Sequence, residues 1–211
     1  MRILFTILST LVLSACAGKI DYIRPTTEPQ SGANTKVVDR PRDSVWATSV
    51  PELSKQFFVI NNLDKVSGLI NISYGGDPQR YIDCGRITSY VKNARGERAY
   101  DFPGAIAQQA YEVMYPNGLF FIDRRMNIEG RVNVIFEDIE ANRTKITVNT
   151  RYVVTRSQTI RSAANSGTQT GTDTISFNTG GRASFPANPQ GQYPECIATG
   201  ALETELLSAI R

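Results

Sequence analysis

The clearest pattern along the chain is a two-residue alternation between Met126 and Val154. Met126, Ile128, Val132, Val134 and Phe136 share one parity, as do Ile146, Val148, Tyr152 and Val154, and the polar stretch 137–145 lies between the two sets. Alternation of this length marks strands with one buried face, and a polar break between two such runs predicts a long antiparallel hairpin.

Other patterns are shorter. Trp46, Val50, Leu53 and Phe57 fall at steps of four, three and four, which places them on one helix face. Pro51 lies inside that segment and removes a backbone donor, so a kink or split near Ser49 is expected. Residues 57–60 read as a buried strand and 61–65 as a polar turn. Residues 67–74 alternate Leu69, Asn71 and Ser73 against Ile70, Ile72 and Tyr74, a strand with one wet face. Its expected partner is the segment 80–91. Residues 92–119 admit a short helix or an extended segment, with extended chain favoured from Ala110 onward.

Residues 156–174 are rich in Ser, Thr, Gly, Asn and Gln and read as a loop or ragged strand end. Their glycines lack the Gly-Lys-Ser/Thr ending of a phosphate loop. One further strand is expected at 175–185 and a loop at 186–194. The last seventeen residues read as a helix, with Ala198, Leu202 and Leu206 on a face beside Ala201 and Ile210, and Glu203 pointing away. Helix, strands, long hairpin, strand and terminal helix together predict an α+β domain. In it an antiparallel sheet is covered by helices on one face, the C-terminal helix among them.

Composition narrows the function. The 211 residues suffice for one domain with a real core, and 41% hydrophobic with 20% charged residues is ordinary for a globular chain. A formal charge of +3, with short basic patches at 40–42 and 124–125 that read as solvated surface, gives no footprint for nucleic acid. The chain contains no histidine, which removes the usual general base and the commonest transition-metal ligand. Three cysteines are too few for a four-thiolate zinc site. No catalytic residue, metal site or cofactor is expected.

The N-terminus carries one arginine, an apolar run from Ile3 to Leu13 and then small residues. That run is too short to span a bilayer of roughly 30 Å and has the layout of a secretory signal. Leu13-Ser14-Ala15-Cys16 resembles the lipobox of bacterial lipoproteins. The resemblance implies cleavage before Cys16, a diacylglyceryl group on its thiol and acylation of the new amine. A membrane anchor of several acyl chains is firm, since each buried CH₂ contributes about 0.8 kcal/mol. Ala17 stands where the family's inner-membrane retention signal has Asp, so the implied location is the outer membrane, at its periplasmic face. Loss of residues 1–15 removes Arg2 and takes the formal charge from +3 to +2. Residues 16–36 then read as the lipidated cysteine and a flexible tether of roughly 25 Å, and residues 37–211 as a single domain.

With Cys16 taken by the anchor, Cys84 and Cys196 remain as a pair in an oxidising compartment, and a disulfide between them is expected. Residues 37–74 also resemble the repeated unit of the outer-membrane assembly lipoprotein BamC. The matching positions are Arg40, Pro41, Val45, Trp46, residues 57–60, Asp64, Ser67, Gly68 and Leu69. The resemblance implies a helix-grip fold, a curved antiparallel sheet gripping a long C-terminal helix.

Remaining clusters read as structural. Glu137, Asp138 and Glu140 sit at the expected hairpin tip and read as a solvated turn. Asp77, Asp83 and Asp101 lack calcium-loop spacing. Asn71 and Asn142 match glycosylation acceptors, which bacterial lipoproteins seldom use. The strand tyrosines read as packing residues with a wet hydroxyl. Two functions compete. One is a non-enzymatic accessory subunit of an envelope assembly, binding partner proteins. The other is a carrier or sensor holding an apolar ligand between sheet and helix. A pocket lined by Ile, Val and Phe favours the second, and a filled core beside an exposed apolar patch favours the first.

Overall fold

The computed structural model describes residues 17–26, 28, 34–56, 58–165 and 167–211. The chain enters as β1 (Ala17–Ile23), β2 (Thr35–Val38) and α1 (Arg42–Ser54). It then runs through β3 (Val59–Asp64), β4 (Leu69–Gly76), β5 (Ile82–Asp83), β6 (Arg86–Asn93), β7 (Gly96–Pro103) and β8 (Gln108–Tyr115). The long pair β9 (Gly118–Glu140) and β10 (Arg143–Ser162) follows. Last come β11 (Thr168–Asn178), β12 (Arg182–Ser184), β13 (Glu195–Ala198) and α2 (Ala201–Ala209).

β9 and β10 are the predicted hairpin, and they are far longer than the apolar alternation alone. Their register runs from Arg143↔Glu140 to Ser162↔Phe120. At about 3.3 Å per residue, the 23 residues of β9 span roughly 75 Å of strand. Other strands add to this spine. β4 pairs with the C-terminal half of β9 and β8 with its N-terminal half, while β2 and β11 pair with successive parts of β10. The result is a seven-stranded antiparallel sheet with β3 at one edge. Two three-stranded sheets, β1-β6-β7 and β12-β13-β5, complete the body.

The inward row of the hairpin forms the centre of the main core. Ile128, Val134, Ile146, Val148, Tyr152 and Val154 are fully buried. From α1, Trp46 meets Phe136 edge to face, with ring centroids 5.3 Å apart. From α2, Leu202 and Leu206 are equally buried. A second, smaller cluster of Ile87, Phe102, Tyr111, Val113 and Ile122 forms where the β1-β6-β7 sheet lies against β8 and the far end of the hairpin.

The α+β helix-grip expectation is overturned. Strand makes up 60% of the described residues and helix 13%, and the two α-helices are short. The excess strand comes from segments whose composition hides it. Residues 96–103 and 108–115, ambiguous in the sequence, are β7 and β8. Residues 156–162 and 168–174, expected to be loop, continue β10 and begin β11. There the register pairs Thr155 with Thr174 and Ser157 with Thr172, polar side chains that leave no period-two signal. The terminal segment starts as strand β13 and becomes helical only after Gly200, which adopts φ 78°.

Other differences are local. β4 pairs with β3 and β9, not with residues 80–91. β3 extends through the expected turn, and the turn itself lies at 65–68. α1 runs unbroken through Pro51, because the donor that Pro51 lacks would serve the carbonyl of Ala47 on the exposed side of the helix. Glu203 does not point away. It is fully buried and accepts hydrogen bonds from Tyr152 Oη and Thr179 Oγ1, both at 2.8 Å. Burial, and then the Glu203 carboxylate, push the Tyr152 hydroxyl far above its ordinary range, so it remains a donor.

Ala17–Ile23, placed at the start of the flexible tether by composition, form strand β1 with a full antiparallel register to β6. Two glycines seat it. A Cβ at Gly18 would collide with Met114 of β8, and a Cβ at Gly85 (φ 71°) would collide with the Ile23 carbonyl. Residues 35 and 36, at the other end of the expected tether, belong to β2.

The expected disulfide is present, joining Cys84 to Cys196 across 112 residues of sequence. It ties the segment between β5 and β6 to β13. Chain-entropy arguments for a loop of this length give about 4–5 kcal/mol. Reduction under native conditions is therefore expected to lower the thermal midpoint by about 10–20 °C. An unchanged midpoint in calorimetry with and without reductant would show that the bond does not constrain the unfolded chain.

Candidate functional site

The inward parity of the hairpin does not stop at the apolar row. It continues along β9 to Arg124 and Ile122, and along β10 to Arg156, Gln158 and Ile160. Register places Arg156 opposite Met126, Gln158 opposite Arg124 and Ile160 opposite Ile122. Two arginines thus enter the interior at the seam between the main core and the smaller one.

A partly enclosed cavity of about 160 Å³ lies at this seam. Its walls are mainly apolar: Ile20 from β1, Ile87 from β6, Ile122 and Ile160 from the hairpin, and Phe185 after β12. Tyr22, Tyr111 and Tyr115 also line it, with Cys84 of the disulfide. One wall is the loop 186–194, whose turn is held by Asn188: its Oδ1 accepts from the backbone N–H of Gln190 at 3.1 Å and of Gln192 at 2.9 Å. Tyr22 fixes β1 to β13 by donating to the Glu195 carbonyl at 3.1 Å and accepting from the Glu195 N–H at 2.8 Å.

The two arginines each leave one buried nitrogen without a partner among the described residues, Nη1 of Arg124 and Nε of Arg156, and differ in whether a carboxylate balances the charge. Arg156 donates to Asp173 Oδ2 at 2.7 Å, and its guanidinium carbon lies 4.5 Å from the Phe185 ring centroid. Its charge is compensated. Arg124 is 3% exposed, and its Nη2 donates to the Gly104 carbonyl. Its Nη1 is buried with no hydrogen-bond partner among the described residues, and no carboxylate forms an ion pair with it there. Asp21, the one acidic residue among the described residues that line the cavity, is engaged by Lys19 at 2.7 Å.

Burial pulls the Arg124 guanidinium down to about 10, and the positive charge of Arg156 acts in the same direction. It remains cationic at neutral pH. Burial likewise pushes the Tyr111 hydroxyl up to about 12, so this neighbour is neutral and cannot balance the charge. An isolated cation in an apolar wall is costly unless an anion meets it.

Of the residues singled out in the sequence, Cys84, Arg124 and the strand tyrosines Tyr111 and Tyr115 line the cavity; the others lie elsewhere. Cys16 is outside the described residues. Glu137, Asp138 and Glu140 are exposed near the hairpin tip and ion-paired with Lys145, Arg42 and Arg143. Asp77 accepts from the Gln79 N–H, Asp83 from the Gly85 N–H, and Asp101 pairs with Arg86, so the three do not converge. No cluster of metal-binding side chains forms among the described residues. The reading of Arg124 as solvated surface is corrected. Arg125 is the exposed member of that pair, because the strand turns successive side chains to opposite faces. Extending the parity of Met126 by one step back to Arg124 was the signal that could have found it.

Comparison of the chain with protein-family models, with curated proteins and with solved structures finds no match.

Arg124→Met removes an uncompensated charge and keeps an apolar side chain of similar reach. Below pH 10 the guanidinium is charged, so its desolvation penalty is present through the neutral range. The penalty fades only as pH rises through about 10 toward the unfolded value of 12.5. The variant is expected to be more stable than the parent at pH 7 by about 1–3 kcal/mol in urea unfolding. A loss of stability of that size would show that the Arg124 charge is already balanced within the fold.

Proposed function

We propose that this chain is a non-enzymatic, lipid-anchored envelope protein that binds a small apolar ligand in the cavity beside Arg124. The observation that carries the reading is the cavity itself, walled by Ile20, Ile87, Ile122, Ile160 and Phe185 between two packed clusters. A dry apolar cavity of roughly 150 Å³ takes a benzene-sized molecule. At about 160 Å³ this one suits a single ring or one short acyl chain, not a whole diacyl lipid.

The lipobox-like residues 13–16 support anchoring through Cys16 at the periplasmic face of the outer membrane. β1 joins that anchor to the site. Ile20 follows Cys16 by four residues, so its Cα lies at most about 14 Å from that of Cys16. On this reading the domain rides at the bilayer surface, with its ligand site beside the anchor.

A second reading, an accessory subunit that binds partner proteins, has its own observation. β3 is a sheet edge, and Val59, Leu63 and the neighbouring Val66 are exposed. The BamC-like stretch includes this strand. Photo-crosslinking from position 63 in intact envelopes gives a defined protein adduct on the second reading and none on the first.

The direct test combines anchor and pocket. The wild-type protein is expected in the detergent phase of a phase separation and Cys16→Ser in the aqueous phase. The aqueous protein, titrated with millimolar 1-octanol or octanoate, is expected to show methyl NMR shifts at Ile20, Ile87, Ile122 and Ile160, with Ile128 and Ile146 unmoved. Equal partition of the two proteins would refute the anchor. Silence at all four methyls with both compounds would refute the pocket.

A further inference from the structure

The apolar walls explain why a ligand enters the cavity but not why an arginine lines it. Arg124 is placed there by the backbone. β9 continues its register with β10 without a bulge through this region, so the side chain at 124 must share the face of Met126. An apolar residue at 124 would complete the seam at no electrostatic cost. The chain instead buries a guanidinium, satisfies one nitrogen with the Gly104 carbonyl and leaves Nη1 unpartnered among the described residues. Such a group marks a place where a partner outside the fold is expected.

We infer that the cavity selects a singly charged apolar carboxylate, whose head is received by Arg124 and whose short hydrocarbon body lies between Ile20, Ile87, Ile122, Ile160 and Phe185. This rests on the ligand-binding reading above and names the class of ligand. The charge count sets the valence. Arg156 is already neutralised by Asp173, Asp21 by Lys19, and the lining tyrosines are uncharged, so one positive charge is left over. A monoanion restores neutrality, whereas a phosphate dianion would leave a buried negative charge.

The chemistry of the head follows from the donor. A guanidinium presents planar N–H donors that match carboxylate oxygens, and a charge-assisted bond in a dry site is about twice as strong as a neutral one. The cavity volume sets the length, one ring or a chain of roughly six to eight carbons by comparison with a benzene-sized void. Gln158, opposite Arg124 in the register and also lining the cavity, offers an amide beside the same head.

The test is titration calorimetry of the soluble Cys16→Ser protein with octanoate, 1-octanol and octyl phosphate at pH 8, in parallel with Arg124→Gln and Arg124→Lys on the same background. Octanoate is expected to bind at least tenfold more tightly than 1-octanol. Arg124→Gln should bring the two to within a factor of two, and Arg124→Lys should keep part of the preference. Octyl phosphate should bind more weakly than octanoate. Equal affinity of the unsubstituted Arg124 protein for octanoate and 1-octanol would overturn the carboxylate assignment while leaving the pocket standing. Octyl phosphate binding as tightly as octanoate would overturn the monoanion assignment. Absence of binding by all three would overturn the pocket reading as well. The comparison of ligands on the Cys16→Ser protein with Arg124 intact requires no Arg124 variant to fold.

Discussion

The register of β9 with β10 is the constraint on which the rest of the molecule depends. Twenty residues of β10 pair with β9 in one antiparallel ladder, and every second side chain of that ladder faces inward. β4 and β8 lie side by side along β9, and β2 and β11 along β10. α1 and α2 add Trp46, Leu53, Leu202 and Leu206 to the inward row, and the buried Tyr152–Glu203 hydrogen bond ties α2 to the strand beneath it. A slip of one residue would turn the whole row to solvent.

The same ladder builds the site. Where the inward row leaves the main core it changes from Met126 and Val154 to Arg124 and Arg156, and the β1-β6-β7 sheet closes over it with a second apolar cluster. The Cys84–Cys196 bond and the Tyr22–Glu195 hydrogen bonds fasten that sheet's surroundings to β13. A guanidinium without an ion-pair partner among the described residues opposes stability, and on the proposed ligand reading it is the group that would favour the uptake of an anion. β1 also removes most of the freedom that a tether would allow: the chain is bound into the sheet one residue after Cys16.

How much of this is written in the sequence depends on burial. The row from Met126 to Val154 is legible because one face is apolar and the other polar, and the cysteine pair because two thiols remain once Cys16 is set aside. Residues 168–174 of β11 and the end of β10 are not legible, whereas Ile175 and Phe177 mark the rest of β11 as strand. Both faces of that ribbon carry Thr, Ser, Gln and Arg, so the backbone ladder holds them without any hydrophobic period. Mistaking these strands for loop, and counting the terminal segment as helix throughout, tips the inferred class toward α+β. Glu203 and Arg124 are missed for a shared reason: charged side chains are taken to mark solvent, and here each lies on an inward face.

The most direct measurement of the account's central claim is the set of cross-strand nuclear Overhauser effects along the isotopically labelled hairpin. The register predicts contacts between Arg124 and Gln158, Met126 and Arg156, and Ile122 and Ile160, continuous with Val148 and Val134. Contacts of Arg124 with Ser157 or Thr159 in place of Gln158 would mean a register shifted by one residue, with Arg124 no longer tied to the core-facing row. That result would contradict the account of both the core and the site.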